Sequence, residues 1–322
     1  MKIVLDAMGG DKGVAPIIDG LKSALNAREF SAIVVGNKSE IERYISPSER
    51  VSIHHCDGVM EMADSATNVL KKKDSSIYQA VELVREGQGD VVISAGHSGA
   101  SMSVATLRFG RIEGVSRPAI CTTMPRIDNK ASIILDAGAN VDCRAVHLVQ
   151  FAQMGYEYAK SVLGYENPRV GLLANGEEDS KGNELTKEAF KELKQFPFFK
   201  GNVEGNDIFN ASVDVVVCDG FSGNLVLKAS EGVAEAIGKI LKEEISKSAK
   251  RKIGALLMKD VFLALKKRTH YAEYGGAPLL GVNKNLIICH GKSDGRAIEC
   301  AIYQGISAVE SGVVEKIAKI FK

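Results

Sequence analysis

Short apolar runs alternate with longer segments of helical periodicity along almost the whole chain, and this alternation constrains the fold most strongly. A sheet covered on both faces by helices has short strands that are apolar throughout. The alternation therefore predicts an α/β fold, a three-layer α/β/α arrangement around a largely parallel central sheet. The predicted strands are 2–6, 32–36, 51–55, 90–94, 118–123, 132–137, 169–174, 214–218 and 285–290. The predicted helices are 12–29, 39–46, 74–87, 98–109, 144–163, 183–195, 222–247, 253–268 and 294–319.

Length and composition narrow the class of protein. The 322 residues can form one large domain or two closely packed ones, and we expect a single α/β/α domain over residues 1–322. A net charge of +1 gives no reason to expect a nucleic-acid partner. The six cysteines lack metal-binding spacing, so reduced thiols in a reducing cytoplasm are expected. The start of the chain, Met1 to Asp6, predicts a strand rather than a signal peptide, and no run of 18 apolar residues occurs.

Two strand-to-helix turns combine glycines with polar side chains. The segment 219–228 follows a predicted strand and opens a helix, with Asn224 near the helix N-terminus. A second predicted strand, 169–174, leads into a polar loop that contains Lys181. An exposed helix N-terminus offers N–H donors and a positive dipole, and an amide and an ammonium add to them. This pattern indicates a site for an anionic ligand, although it is also typical of ordinary surface loops.

Other strand ends repeat this chemistry. In a parallel sheet the ligand site lies beyond the carboxyl ends of the strands, so we expect these ends to meet there. Neither a G-x-G-x-x-G dinucleotide fingerprint nor a P-loop occurs. His97 could donate to an anion, although a lone loop histidine is more often structural. The residues expected to bind the substrate are Asp6, Gly9, Gly10, Asp11, Gly96, His97, Ser98, Gly99, Asn140, Gly220, Ser222 and Gly223.

The segment 247–268 is basic and apolar together. Eight Lys or Arg residues against Asp260 give it a charge of +7, so the rest of the chain carries −6. On one helix, Lys252, Lys259 and Lys266 form a stripe and apolar residues cover most of the remaining circumference. Dimer packing and contact with an anionic membrane explain such a helix equally well, and docking of an acidic protein is a third possibility. We expect an amphipathic helical hairpin over 240–270, whose membrane contacts are Leu256, Leu257, Lys259, Val261, Phe262 and Lys266.

Taken together, these segments resemble the PlsX family, the phosphate acyltransferases of bacterial phospholipid synthesis. The matching segments are DAMGGD at 6–11, KKDSS at 72–76, SAG at 94–96, LDAGANVDC at 135–143, KGNELTK at 181–187, DGFSGNLVLK at 219–228, YGGAPLLGV at 274–282 and HG-SD at 290–294. They follow the order and spacing of the family over nearly the whole chain. One departure is visible, because the family usually has Asn-Thr where this chain has His97-Ser98.

The resemblance implies transfer of a long-chain fatty acyl group from acyl carrier protein to inorganic phosphate, which forms acyl-phosphate. Lys181 and Asn224 match the catalytic pair of the family. The resemblance also implies a homodimer, no metal or dissociable cofactor, and a fold similar to the isocitrate and isopropylmalate dehydrogenases and the phosphotransacetylases. It further implies peripheral contact with the inner face of the cell membrane through the hairpin, and a downstream acyl-phosphate:glycerol-3-phosphate acyltransferase as a partner.

Two rival functions stay open. A phosphotransacetylase-like enzyme that uses acyl-CoA would share both fold and chemistry. A non-catalytic scaffold that binds carrier protein at the membrane belongs to another class, although a scaffold has little use for Lys181 and Asn224 at strand ends. An NAD-dependent dehydrogenase is disfavoured because the dinucleotide fingerprint is missing.

Overall fold

The computed structural model describes residues 1–61, 64–269 and 275–322. Its strands are β1 Lys2–Asp6, β2 Ser31–Gly36, β3 Val51–His55, β4 Val91–Ser94, β5 Ala119–Pro125, β6 Ala131–Leu135, β7 Val170–Leu173, β8 Phe199–Val203, β9 Val215–Val217, β10 Ala277–Leu280 and β11 Asn285–Ile288. Its helices are α1 Val14–Ala27, α2 Lys38–Ile41, α3 Ser76–Arg85, α4 Ser98–Arg108, α5 Ala145–Ser161, α6 Glu184–Leu193, α7 Gly220–Ser246, α8 Ala249–Leu257, α9 Lys259–Thr269, α10 Gly295–Ser311 and α11 Val313–Ile320. Short 3₁₀ helices span Ala66–Leu70 and Gly205–Ile208.

The central strands are apolar throughout because both of their faces are covered. In β1, Ile3 and Leu5 pack in the core that α1 and α10 share, whereas Val4 packs on the opposite face with α3 and α4. All three side chains are fully buried. Since successive side chains of a strand point to opposite faces, both layers of helices are required to bury such a run. The predicted three-layer α/β/α architecture is confirmed.

The sheet contains all eleven described strands in the order β3-β2-β1-β4-β11-β10-β5-β6-β9-β7-β8. Seven of the ten described strand pairings are parallel, which confirms a largely parallel sheet. The three antiparallel pairings lie together in the centre, β11 with β10, β10 with β5 and β5 with β6. As a result β1, β4 and β11 run opposite to β6, β9 and β7.

This reversal divides the polar strand ends into two groups. We call the carboxyl ends of β1, β4 and β11 the first edge, and those of β6, β9 and β7 the second edge. The strands that lead to the two edges run in opposite directions. The reversal follows from the tight turn between β5 and β6, where the Arg126 N–H bonds to the Lys130 carbonyl and Asn129 has a φ of 63°. Asparagine tolerates this left-handed conformation better than most residues.

Four elements differ from the predictions. The strands β8 and β10 were not predicted, because β8 is polar and β10 contains Pro278, which cannot donate to a strand ladder. The predicted helix 294–319 breaks at Gly312, whose φ of 62° ends α10. The predicted helix 253–268 is two helices, α8 and α9, separated at Met258. The prediction of a lysine stripe on one continuous helix is therefore wrong, since the break lies between Lys252 and Lys259.

The segment from residue 229 to residue 269, which we call the helical arm, contains most of α7 with α8 and α9. None of the side chains described between residues 224 and 265 is buried. The far end of the arm returns to the sheet, where the Arg268 side chain donates to the carbonyls of Arg126 and Ile127 at 3.2 and 2.9 Å. Among the helices in the described ranges, none has the length and apolar character to cross a bilayer.

Candidate active site

The second edge brings the two predicted catalytic residues to neighbouring strands. The strands β6, β9 and β7 are adjacent and parallel, with Leu172 of β7 beside Val217 of β9. The loop after β7 carries Lys181, and the turn after β9 leads into α7, which carries Asn224. Because parallel neighbours end at the same level, both side chains lie at one edge of the sheet.

Asn224 lies in the second turn of α7 and is exposed. Its amide forms no hydrogen bond to any other residue that the structure describes. The backbone of Gly138 passes beside it, since a Cβ atom built on Gly138 would lie 3.6 Å from the Asn224 Cβ. The amide is therefore held next to the polar turn after β6 and keeps its donors for a ligand.

Lys181 is half-buried, and its stem lies against Gly176. The loop around it is held by two side-chain bonds. The Asn175 Oδ1 accepts from the Gly182 N–H at 2.8 Å, and the Asn183 Oδ1 accepts from the Thr186 N–H at 2.9 Å to cap α6. Within the described part of the chain the Lys181 ammonium has no ion pair or hydrogen bond. A charged donor thus stands on a fixed loop without a partner in the fold.

The start of α7 differs from the expected anion-binding helix N-terminus. The Gly220 N–H donates to the Asn140 carbonyl at 2.7 Å, and the Ser222 N–H donates to the Asp219 Oδ1 at 2.8 Å. The Ser222 hydroxyl donates to the other oxygen of Asp219 at 2.9 Å. Since these donors are already used and a carboxylate caps the helix, Asn224 and Lys181 are the predicted site residues whose side-chain donors have no partner in the described part of the chain.

Asn140 also uses its side chain internally. Its amide nitrogen donates to the Pro118 carbonyl at 2.8 Å and to the Asp136 carboxylate at 2.9 Å. Only 7% of Asn140 is exposed. Its predicted role in binding substrate stays a prediction, as do those of Gly220, Ser222 and Gly223.

The remaining predicted substrate-binding residues lie at the first edge. Asp6 is buried there and accepts from the Ser94 hydroxyl at 2.7 Å. The turns after β1 and β4 pack directly on each other, since a Cβ on Gly9 would lie 2.5 Å from the Gly96 Cα. These residues follow strands that run opposite to β6, β9 and β7, and their predicted role in binding substrate stays a prediction. The residues of the first edge are Asp6, Gly9, Gly10, Asp11, Gly96, His97, Ser98 and Gly99.

His97 is engaged through both of its ring nitrogens. The Nδ1 atom accepts from the Ala100 N–H at 3.2 Å and so caps α4. The proton therefore belongs to Nε2, which donates to the Asp64 carbonyl at 3.0 Å. An asparagine side chain has one acceptor and one donor that can replace these two atoms. His97 thus caps α4, and its predicted role in binding substrate stays a prediction.

A similar sequence unit occurs at both edges, and it was not among the sequence predictions. Leu5-Asp6-Ala7 at the end of β1 recurs as Leu135-Asp136-Ala137 at the end of β6. Val91-Val-Ile-Ser-Ala-Gly-His-Ser-Gly-Ala100 recurs as Val215-Val-Val-Cys-Asp-Gly-Phe-Ser-Gly-Asn224. The strand registers agree as well, since Ile3 pairs with Val91 and Ile133 with Val215. Burial raises the pKa of both carboxyl groups, Asp6 and Asp136.

The two units differ at their last position. Asn224 aligns in sequence with Ala100, but Ala100 is fully buried whereas Asn224 is exposed and has no hydrogen bond to the described part of the chain. An exposed amide that the fold does not need is a candidate for chemistry. Comparison of the two segments with each other was the signal that could have distinguished Asn224 from its neighbours.

No group of three or more His, Cys, Asp or Glu side chains is placed to hold a metal ion in residues 1–61, 64–269 and 275–322.

The fold itself is shared with solved acyltransferases. A phosphotransacetylase from Streptococcus pyogenes matches with a TM-score of 0.64 at 18% identity, over 96% of this chain and 94% of that one. A branched-chain phosphotransacylase from Enterococcus faecalis matches with a TM-score of 0.58 at 13% identity, over 96% and 99% of the two chains. The architecture is therefore that of the phosphotransacetylases.

Sequence comparison gives the family. Residues 1–316 match the family described as "Fatty acid synthesis protein". Phosphate acyltransferases from Helicobacter pylori strain Shi470 and Helicobacter hepaticus are 59% and 57% identical over the whole of this chain, and over 95% and 97% of their own lengths. That of Wolinella succinogenes is 57% identical over all of this chain and 98% of its own. The chain belongs to the PlsX family of phosphate acyltransferases, and it is an acyltransferase that acts on phosphate in fatty acid and phospholipid synthesis.

Proposed function

We propose that this enzyme transfers a long-chain fatty acyl group from acyl carrier protein to inorganic phosphate and forms acyl-phosphate for phosphatidic acid synthesis. The observation that carries this proposal is the pair of side chains without partners in the described part of the chain, Lys181 on the loop after β7 and Asn224 in the second turn of α7, both at the second edge. A cation and an amide are the groups needed to hold a phosphate against a thioester carbonyl.

The reaction needs no covalent enzyme intermediate, because phosphate is itself a nucleophile. An oxygen of phosphate attacks the thioester carbonyl carbon, and a C–O bond forms while the C–S bond breaks. The departing thiolate takes a proton from water and becomes the free carrier thiol. We assign Lys181 to the charge of the phosphate, and Asn224 to the developing carbonyl oxyanion or to phosphate.

The assay uses purified protein, palmitoyl-acyl carrier protein and inorganic phosphate, and it follows release of free carrier thiol. We expect release that depends on phosphate, with acyl-phosphate as the product. Turnover of acyl-CoA without turnover of the carrier substrate would favour a phosphotransacetylase-like enzyme instead. No turnover with either donor would favour the carrier-binding scaffold.

We assign two roles to the exposed apolar side chains of α7 and the helical arm. On α7 they recur at intervals of about four residues, which is the spacing of one helix face that packs on another helix. We therefore propose that α7 pairs with α7 of a second copy in a homodimer. The exposed residues of this face are Phe221, Leu225, Val233, Ile237 and Ile240.

The tip of the arm suits a membrane surface. Leu256 and Leu257 are 70% and 79% exposed at the end of α8, and Val261 is exposed at the start of α9. Apolar side chains next to basic ones bind anionic bilayers without crossing them. Lys259 and Phe262 belong to the same surface, and the side chain of Lys266 lies outside the described residues. We propose that the enzyme works in the cytoplasm on the inner face of the cell membrane, beside the acyltransferase that consumes acyl-phosphate.

A further inference from the structure

The turn that supports Asn224 is built around the buried carboxyl group of Asp136. This residue directly follows β6 and has no exposed surface. Its Oδ1 accepts from three main-chain N–H groups, those of Ile120, Gly138 and Ala139, at 2.9, 3.2 and 3.0 Å. Its Oδ2 accepts from the main chain and the side chain of Asn140, at 2.6 and 2.9 Å. Both oxygens therefore act only as acceptors.

The first turns of α7 pack on this turn, residues 136–140. The Asn140 carbonyl accepts from the first N–H of the helix, that of Gly220. Gly223 lies so close to the Asp136 carbonyl oxygen that no side chain fits between them. Gly138 in turn lies beside Asn224. Asn224 thus takes its position from the turn, and the turn takes its shape from the Asp136 carboxylate.

We propose that Asp136 is a positioning residue, which fixes the 136–140 turn and through it the direction of the Asn224 amide. This proposal rests on the proposed function, in which Asn224 donates to the reacting acyl or phosphate oxygen. Asp136 does not itself contact Asn224 or the reacting atoms. The site depends on the carboxylate because an amide at position 136 offers one acceptor oxygen to five N–H donors and turns its own N–H₂ toward some of them.

The first test compares Asp136→Asn with Asp207→Asn. Asp207 is a matched control because it is also buried and accepts three hydrogen bonds, from the Glu204 N–H, the Asn210 amide and the Ser212 hydroxyl, and none of these partners belongs to the 136–140 turn or to α7. We expect Asp136→Asn to lower kcat/KM for phosphate by about 100-fold, which is the cost of a small misplacement of a catalytic group. Asp207→Asn should lose thermal stability but keep kcat and KM. Equal kinetics for the two variants would overturn the proposal.

A double-mutant cycle separates positioning from general damage. If Asp136 acts through Asn224, then Asn224→Ala removes the group that Asp136 positions. The double variant should consequently be no slower than Asn224→Ala alone. Losses that multiply would show that Asp136 acts independently of Asn224, and the proposal would then be wrong.

Hydrogen exchange gives a readout that does not need turnover. The amides of Gly220 and Gly223, bonded to the carbonyls of Asn140 and Asp219, should exchange faster in Asp136→Asn and at the wild-type rate in Asp207→Asn. Unchanged exchange in Asp136→Asn would contradict the proposal even if the wild type proved inactive with every acyl donor. Inactivity of the wild type alone would contradict the proposed function instead.

If Asp136→Asn does not fold, Asn140→Ala takes its place in both measurements. This variant keeps the carboxylate and its four main-chain donors and removes the side-chain bonds of Asn140 to Asp136 and to the Pro118 carbonyl. It should produce a smaller rate loss that is again absent when Asn224 is alanine. A loss that persists in the Asn224→Ala background would contradict the proposal.

Discussion

At the scale of single residues, the Lys181 and Asn224 side chains at the second edge have no hydrogen bond to the part of the chain that the structure describes. Their neighbours Ser222 and Asn140 are equally polar, but both are engaged in bonds that hold turns together. Residue type and spacing identified all four, because a strand end with glycines and polar groups is a local pattern. Which of them keep their donors depends on contacts between distant segments, and no local pattern contains that information.

Lys181→Ala and Asn224→Ala should each lower kcat/KM for phosphate by on the order of 100-fold, because each removes one donor from the charge that develops in the transition state. Steady-state kinetics with varied phosphate measure this. Asn224→Ala should fold normally, since the Asn224 side chain is exposed and has no hydrogen bond to the described part of the chain. Lys191→Ala, which removes an exposed lysine of α6, is the control and should keep the full rate. Near-normal turnover by both folded site variants would refute the assignment.

His97 gives a prediction about stability rather than rate. His97→Asn should leave the free energy of unfolding nearly unchanged, because asparagine can cap α4 and reach the Asp64 carbonyl. His97→Ala should cost about 1 kcal/mol through loss of the cap. Chemical denaturation at neutral pH distinguishes the two. A large rate loss in His97→Asn with unchanged stability would instead show that the imidazole contacts substrate.

At the scale of elements, one buried ion network holds the starts of β7 and β9. The Asp214 carboxylate pairs with Arg126 and with the Arg169 side chain, and it also accepts from the Arg169 N–H at 2.8 Å. Burial alone would raise the pKa of Asp214, but hydrogen bonds from Arg169 and Arg126 outweigh it and hold the pKa below its ordinary value of 3.8. Removal of one partner from such a network leaves the other charges buried without a partner.

Asp214→Ala should therefore destabilise the protein by about 3–5 kcal/mol at neutral pH. The carboxylate contributes fully above the unfolded pKa, and its contribution is lost as the pH falls below 3.8 through the lowered folded pKa. Denaturant unfolding of wild type and variant as a function of pH should show their difference shrinking in that acidic range. Asp179→Asn breaks only an exposed pair with Lys194 and should cost less than about 1 kcal/mol. A difference that stays constant below pH 3.8 would contradict the network's role.

The helical arm is the second element that can be tested alone. Leu256→Gln together with Leu257→Gln should weaken binding to vesicles of anionic lipid, because these two side chains are exposed at the arm tip. Charge reversal at Lys259, Lys266 and Lys267 should act in the same direction. Co-sedimentation with vesicles measures both. Leu107→Gln removes another exposed leucine, from α4, and should bind like wild type. Unchanged binding by the arm variants would exclude the tip as the contact.

At the scale of the whole molecule, the sequence predicted the three layers of helices and sheet, but it did not predict the directions in which the strands run. Apolar runs such as Ile3-Val-Leu5 require cover on both faces, so three layers follow from local pattern alone. The strands β6, β9 and β7 run opposite to β1, β4 and β11 because of the turn around Asn129 and because of β10, which Pro278 makes hard to recognise as a strand in the sequence. Because such features act on the register between distant segments, the separation of the first and second edges could not be predicted.

The apolar face of α7 predicts the oligomeric state. Ile237→Glu together with Ile240→Glu should convert a dimer into a monomer in sedimentation velocity, because charges on a helix–helix contact lose their solvation. Leu107→Glu, at the same exposure on α4, should stay a dimer. A wild-type protein that is monomeric at high concentration would show that the apolar face of α7 is not a dimer interface.

One continuous helix carries both Asn224 and the beginning of the arm. The 27 residues of α7 contain no break, so the helix behaves as a rod about 40 Å long. A rod cannot turn at one end without turning at the other, and a tilt of a few degrees at the base moves the tip by ångströms. If lipid or a second copy binds the arm, as we propose, that contact would therefore also influence the orientation of the Asn224 amide at the second edge.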